Sequence, residues 1–203
     1  MDSGFYAALV SAAGEGNVCA DETMSRHTTF RIGGPADYFV NVTSPEALRA
    51  GMALCSDHGV PFMTMGNGSN MLVSDKGYRG VIFNVFRMMS GTVFRCEGDE
   101  LIVTAECGIL LSSLAKEVCS RGYTGFEFAT GIPGTLGGAA AMNAGAYGGE
   151  IRDCILWADV MDREGREMRL DRGSLELGYR KSRILAGEYT ALRACFSFKE
   201  GDK

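Results

Sequence analysis

Several residue classes whose abundance would point to a particular function are scarce in this sequence. There are only four prolines, Pro35, Pro45, Pro61 and Pro133, which excludes a proline-rich linker or disordered architecture. No run approaches the ~18 apolar residues of a membrane span, so no membrane partner is expected. Asp2 stands where a signal peptide would be positive, and Gly4, Ser11, Gly14 and Glu15 interrupt any apolar leader. Basic stripes are missing as well. The formal net charge is −5, and Arg180, Lys181 and Arg183 form too short a cluster to bind a phosphate backbone. No nucleic-acid partner is expected. The seven cysteines are odd in number and contain no CxxC pair, which argues against a disulfide framework or a zinc site, and no metal is expected. Most lie among apolar residues, as in Ala53-Leu54-Cys55 and Val118-Cys119. They read as buried, reduced thiols of a cytoplasmic protein.

Glycine, by contrast, is abundant. The chain has 28 glycines in 203 residues, about twice the usual ~7% share. Seven of them fall between Gly131 and Gly149, in GIPGTLGGAAAMNAGAYGG. Each glycine inside a regular element costs about 0.5–1 kcal/mol relative to alanine. Such density implies a main chain that comes close to a ligand with its N–H groups uncovered. A second stretch, Gly66-Asn67-Gly68-Ser69-Asn70, has the same character.

The patterning around these stretches is mixed α and β. A helix is predicted over 5–13 and a turn over 29–34. A βαβ unit is predicted over 36–65, with a helix that starts at Thr43-Ser44-Pro45-Glu46 and ends at Gly59. Its second strand, 61–65, leads into the Gly66–Asn70 turn, the end of a strand where α/β sheets place ligands. Strands follow at 71–74, 80–85, 92–96 and 101–106, then a helix over 112–120. A hairpin spans 155–162 and 167–170, a short helix 171–177 and a last strand 189–198. A subdomain boundary is placed near residue 86, and the charged run 199–203 reads as a domain edge.

Consecutive main-chain N–H groups in a Gly/Asn/Ser turn form a nest for an anion, although the same residues also make an ordinary tight turn. In the longer stretch, Ile132-Pro133-Gly134 is a rigid turn before Gly137-Gly138-Ala139. A helix starting there would offer free N–H groups to a phosphate, or its small residues could serve close packing. Neither stretch is a Walker loop or a dinucleotide GxGxxG fingerprint.

Six segments in order carry a resemblance. They are Thr28-Thr29-Phe30-Arg31-Ile32-Gly33-Gly34-Pro35-Ala36, Gly66 to Asn70, Tyr78-Arg79-Gly80, Gly131 to Ala139, Asn143-Ala144-Gly145-Ala146-Tyr147-Gly148, and Tyr179-Arg180-Lys181-Ser182. Together they resemble the UDP-N-acetylenolpyruvoylglucosamine reductase family of bacterial flavoenzymes. The resemblance implies an α+β, two-subdomain FAD-binding fold of the vanillyl-alcohol-oxidase type. It implies a leader over 1–24, subdomains over 25–86 and 87–203 that hold noncovalent FAD between them, and a missing C-terminal substrate domain. Cofactor contacts are implied for Gly66, Asn67, Gly68, Ser69, Asn70, Ile132, Pro133, Gly134, Gly137, Gly138, Ala139, Gly145 and Tyr147.

The implied activity is NADPH-linked reduction of UDP-N-acetylglucosamine enolpyruvate to UDP-N-acetylmuramate in peptidoglycan synthesis, with a nucleotide sugar as the small-molecule partner. Arg180 is implied as the catalytic cation that stabilises enolate charge, with Tyr179 beside the substrate. The family's serine proton donor and late glutamate have no match here, and neither Ser182 nor Glu127 is carried over in their place. Weak or no turnover is therefore expected of this chain. The alternatives are a stand-alone FAD-binding module and a flavin oxidase of the same fold. The sequence leaves the oligomeric state undetermined.

Overall fold

Apolar residues run consecutively along Tyr38-Phe39-Val40 of Pro35–Asn41 and Val81-Ile82-Phe83 of Tyr78–Asn84, and these two segments form the centre of the first sheet. In the computed structural model, residues 3–86 and 88–201 are described. The end of the expected charged edge, Asp202 and Lys203, lies outside them. The chain divides into two units, Met1–Met89 and Ser90–Lys203. Among the described residues, no helix is long and apolar enough to cross a membrane.

The first unit contains α1 (Ser3–Ala13), β1 (Val18–Thr23), β2 (Pro35–Asn41), α2 (Pro45–Asp57), β3 (Phe62–Met65) and β4 (Tyr78–Asn84). Its sheet has the order β1-β2-β4-β3. β2 and β3 both run parallel to β4, while β1 pairs antiparallel with β2. The expected βαβ unit is therefore present but split, because β4 inserts between its two strands. Helix α2 starts where Ser44 accepts a hydrogen bond from Ala47 N–H, with Pro45 in the first turn, and it stops before Gly59 at φ +62°. It lies against Phe83, where a Cβ on Gly51 would meet Cε1 at 2.5 Å. On the opposite face of the sheet, Phe39 and Ile82 close a small core with Met24, Ala36 and Met65.

Two expectations for this unit are corrected. Strand β1 falls where the sequence predicts no strand, since Val18–Thr23 ends in three polar residues, Asp21, Glu22 and Thr23. The strand expected at 71–74 is instead an extended loop without strand pairing. Val73 packs on Gly33, and the Ser74 carbonyl accepts from Gly34 N–H (2.9 Å) and Gly77 N–H (2.8 Å), a tight turn rather than a ladder.

The second unit contains β5 (Thr92–Glu97), β6 (Glu100–Glu106), α3 (Leu111–Ser120), β7 (Tyr123–Thr124), α4 (Leu136–Met142), β8 (Gly145–Ala146), β9 (Gly149–Glu150), α5 (Ile151–Cys154), β10 (Ile155–Asp162), β11 (Glu167–Asp171) and β12 (Tyr189–Glu200). Its main sheet is antiparallel in the order β11-β10-β12-β6-β5. The large core joins Leu101 and Val103 of β6, Leu111, Leu114 and Val118 of α3, and Phe126, Phe196 and Phe198. The helix expected over 171–177 is a series of turns. The Asp171 side chain accepts from Ser174 N–H (2.7 Å), and Glu176 adopts φ +50°, which a helix does not allow.

Candidate functional site

In the first unit, β3 ends at Met65 and hands the chain directly to Gly66. Gly68 is buried at φ +66°, and a Cβ there would collide with the His27 carbonyl oxygen. Only glycine fits, because both the left-handed backbone and the close approach exclude a side chain. Its own carbonyl accepts from Thr29 N–H at 3.2 Å. The N–H groups of Gly66, Asn67 and Gly68 have no acceptor among the described residues. Ser69 is half-buried and Asn70 exposed.

The neighbouring loop, 28–34, supports this turn. Thr28 is buried and its hydroxyl donates to the Ile32 carbonyl (2.9 Å), closing a bend in which Arg31 sits at φ +55°. His27 stacks on Phe39 at 4.0 Å and meets Glu22 Oε1 through Nε2 at 2.8 Å. The sequence shows Thr28 to Gly34 as part of a motif. Their role as the backing of the Gly66–Asn70 turn is visible only in three dimensions.

In the second unit, the long glycine stretch separates into packed and open positions. The expected phosphate site at the start of α4 is corrected. Leu136 N–H donates to the Ile109 carbonyl and Gly137 N–H to the Cys107 carbonyl, both at 2.9 Å, and Gly138 N–H faces the Thr135 hydroxyl at 3.4 Å. The Leu136 and Gly137 donors fasten the helix to the chain just after β6, and the Gly138 donor caps the helix at its own Thr135, so none of the three is open. A Cβ on Gly137 would come within 3.0 Å of Cys107 Cβ, so this glycine serves close packing. Ala139 is buried, and Gly134 is buried at φ +139° with its carbonyl accepting from Leu111 N–H. Gly131 and Pro133 are exposed, Ile132 is half-buried, and Gly131 and Gly138 face outward.

Further along, two tight turns meet at a hollow of about 270 Å³ lined by Asn143, Gly145, Tyr147, Glu150, Tyr179 and Arg180, among others. The first turn joins β8 to β9 through Tyr147 (φ +52°) and Gly148 (φ +86°). Two successive positive φ values make the I′-type connection that matches strand twist. Tyr147 is 99% exposed there, with no packing to hold it. The second turn runs from Gly178 to Lys181, which exchange two main-chain hydrogen bonds of 3.0 and 3.1 Å. Arg180 takes its third position at φ +52°, where glycine is the usual residue. Tyr179 is 89% exposed, and the Arg180 guanidinium lies 5.8 Å from its ring centre. Among the described residues, Arg180 has no carboxylate partner.

The fold thus brings Gly145 and Tyr147 to the same hollow as Tyr179 and Arg180, residues expected to touch cofactor and substrate respectively. Sequence reasoning gives no role to Asn143 or Glu150 and none that holds for Ser182, yet all three organise this hollow. Ser182 is buried; its hydroxyl donates to the Ala141 carbonyl (2.6 Å) and accepts from Leu185 N–H (3.0 Å). It is an anchor, and its proton is engaged. The Glu127 carboxyl is likewise engaged. The Thr124 hydroxyl, with the Gly125 N–H, holds its carboxyl below the usual range.

Residues 36–171 match the family described as FAD binding domain. A UDP-N-acetylenolpyruvoylglucosamine reductase of Lachnoclostridium phytofermentans is 46% identical over 187 residues, covering 92% of this chain and 60% of that protein. The crystal structure of such a reductase from Thermus caldophilus aligns with a TM-score of 0.70 at 30% identity, over 89% of this chain and 62% of that one. A vanillyl-alcohol-oxidase-type flavoprotein from Myceliophthora thermophila aligns at 0.74 with 14% identity, over 98% of this chain and 48% of that one, a likeness of fold alone. The fold is the α+β, two-subdomain FAD-binding fold of this type. The chain spans about 60% of the length of the curated relative it matches.

Proposed function

The chain belongs to the FAD-binding-domain family, and from that premise we propose that it is the flavin-holding part of a UDP-N-acetylenolpyruvoylglucosamine reductase. The reaction is the NADPH-linked reduction of the enolpyruvyl group of the nucleotide sugar. One observation carries this reading beyond flavin binding. Among the described residues, the hollow presents a guanidinium, Arg180, with no carboxylate partner, beside two exposed tyrosines.

The residues present fit FAD by their chemistry. A diphosphate needs several N–H donors in a row, and Gly66, Asn67 and Gly68 supply them from a rigid turn. Ser69 and Asn70 follow in the same turn. A planar ring needs flat, uncovered surfaces, and Tyr147 and the open positions of 131–138 provide them, with Gly145 letting the β8–β9 hairpin close beneath Tyr147. Gly134, Gly137 and Ala139 act one step back, by letting the main chain pack tightly behind those positions. Bound FAD supplies hydride transfer; the protein supplies position and charge. Arg180 offers a forked cation to the substrate carboxylate, whose charge grows during reduction, and a fixed cation there acts chiefly on the transition state.

The reading is tested in two steps. Purified protein is expected to be yellow, with flavin close to one per chain; colourless protein that added FAD does not reconstitute overturns flavin binding. In a full-length version of the protein, with NADPH and the enolpyruvyl nucleotide, Arg180→Ala is expected to lower turnover about 100-fold or more while FAD stays bound. Loss of FAD with that substitution would move Arg180 from the substrate to the cofactor.

A further inference from the structure

Helix α4 ends at Asn143, which adopts a left-handed conformation at φ +42°, ψ +55°. Glycine satisfies such a helix end with less strain, so the backbone alone does not account for asparagine. Its side chain does. It is 3% exposed, and its carboxamide is fully engaged. Nδ2 donates to Glu150 Oε2 at 2.8 Å and to the Gly178 carbonyl at 3.1 Å, while Oδ1 accepts from Arg152 N–H at 2.9 Å. One buried amide therefore joins three segments: the end of α4, the β9–α5 junction behind the Tyr147 turn, and the base of the Tyr179–Arg180 turn.

The second turn has few other supports. Among the described residues, the Gly178 carbonyl receives only Lys181 N–H, from within the turn, and Asn143 Nδ2, from outside it. On the far side, Ser182 is tied to Ala141, again in the last turn of α4. Both anchors thus come from one short helix, two residues apart. The turn they hold carries a non-glycine residue at positive φ, a conformation that persists only where its surroundings impose it.

We infer that Asn143 is a positioning residue: it fixes the Tyr179–Arg180 turn against the Tyr147 hairpin and so aims the Arg180 guanidinium into the hollow. This rests on the reading of the hollow as the site of an anionic substrate group. Asn143 touches no reacting atom; it acts through Gly178. Glycine at 143 keeps the helix end and removes all three bonds. Aspartate keeps the acceptor for Arg152 N–H and replaces the donor facing Gly178 with an oxygen.

The test uses the whole chain with FAD bound. Asn143→Gly and Asn143→Asp are expected to raise hydrogen exchange at the Lys181 amide about tenfold, with amides of β10 and β12 unchanged. Binding of the enolpyruvyl nucleotide, read as a shift in flavin absorption, is expected to weaken about tenfold or more. FAD affinity stays near that of the unsubstituted chain, while the thermal midpoint falls by a few degrees, as loss of buried hydrogen bonds requires. Unchanged Lys181 exchange overturns the inference, and so does a parallel loss of FAD and nucleotide binding, which marks a merely structural residue. Should neither variant fold, the Asn143 side-chain amide protons of the unsubstituted protein decide: slow exchange supports the anchor and fast exchange removes it. If Arg180→Ala binds the nucleotide as well as the unsubstituted chain, or that chain does not bind it at all, the reading of the hollow fails. The Lys181 exchange rate then still shows, by itself, whether Asn143 holds the turn.

Discussion

Arg180 pays a conformational penalty that its place in the fold does not require. A glycine at φ +52° would relieve about 1 kcal/mol of left-handed strain. Arg180→Gly is therefore expected to raise stability by about that amount in urea unfolding while weakening binding of the anionic nucleotide; a stability loss instead would mean that the guanidinium supports the fold. Gly68 is the converse case, where the fold does require the residue. Gly68→Ala must move the His27 carbonyl and the Thr29–Gly68 hydrogen bond. A loss of about 2 kcal/mol or more and of FAD binding is expected, measured by denaturation and flavin retention. Both residues are visible in the sequence as members of short motifs. Why one is strained and the other irreplaceable depends on carbonyls far away in the chain, which no local pattern records.

At the scale of elements, helices and central strands are legible because their periodicity reports a buried face. Helix α2 announces itself through Ser44, Pro45 and Gly59, and β10 and β11 through the turn between them. Strand β1 and the 71–74 loop are not legible. An edge strand with polar residues lacks alternation, and a short apolar run can be buried by packing without pairing to a neighbour. Ion pairs between strands are equally hidden. Asp159 of β10 receives Arg169 of β11 at 2.7 and 3.0 Å and Arg193 of β12 at 2.6 Å. Partial burial opposes its ionisation, but the two guanidinium groups outweigh that and hold its carboxyl below the ordinary 3.8. Its folded-state value is depressed, so its contribution to stability is complete above 3.8 and disappears as pH falls through the folded value. Asp159→Asn is therefore expected to be less stable than the unsubstituted chain at pH 7, with the gap constant down to about 3.8 and narrowing only below it when urea midpoints are compared. A gap that stays constant below 3.8 as well would show that the pair contributes through packing alone.

Across the whole molecule, cysteine reactivity gives a map of the two cores. Burial pushes the Cys55 and Cys154 thiols up to about 12 and the Cys107 thiol higher still, while Cys96 is exposed on β5. In native protein at neutral pH, a thiol reagent is expected to modify Cys96 first and to reach Cys55, Cys107 and Cys154 only on unfolding. Rapid labelling of Cys107 would mean that the α4–β6 junction is open. That junction is also where the expected helix-end phosphate site gives way to packing. The glycines that suggest bare donors are used at 136–138 to bring α4 against Cys107 and Ile109.

Read without coordinates, periodicity and glycine density determined the mixed helix-and-strand pattern and the two bare-backbone stretches, because these are local properties, while the cofactor class, the two-part plan and the candidate cation came from the resemblance of six ordered motifs to a known family. Tertiary structure alone decided which N–H groups remain open, that β4 splits the first βαβ unit, and that one buried asparagine holds the arginine turn. Each of these depends on what a distant segment places opposite a given backbone group, and burial makes an unpaired partner too costly to leave to chance.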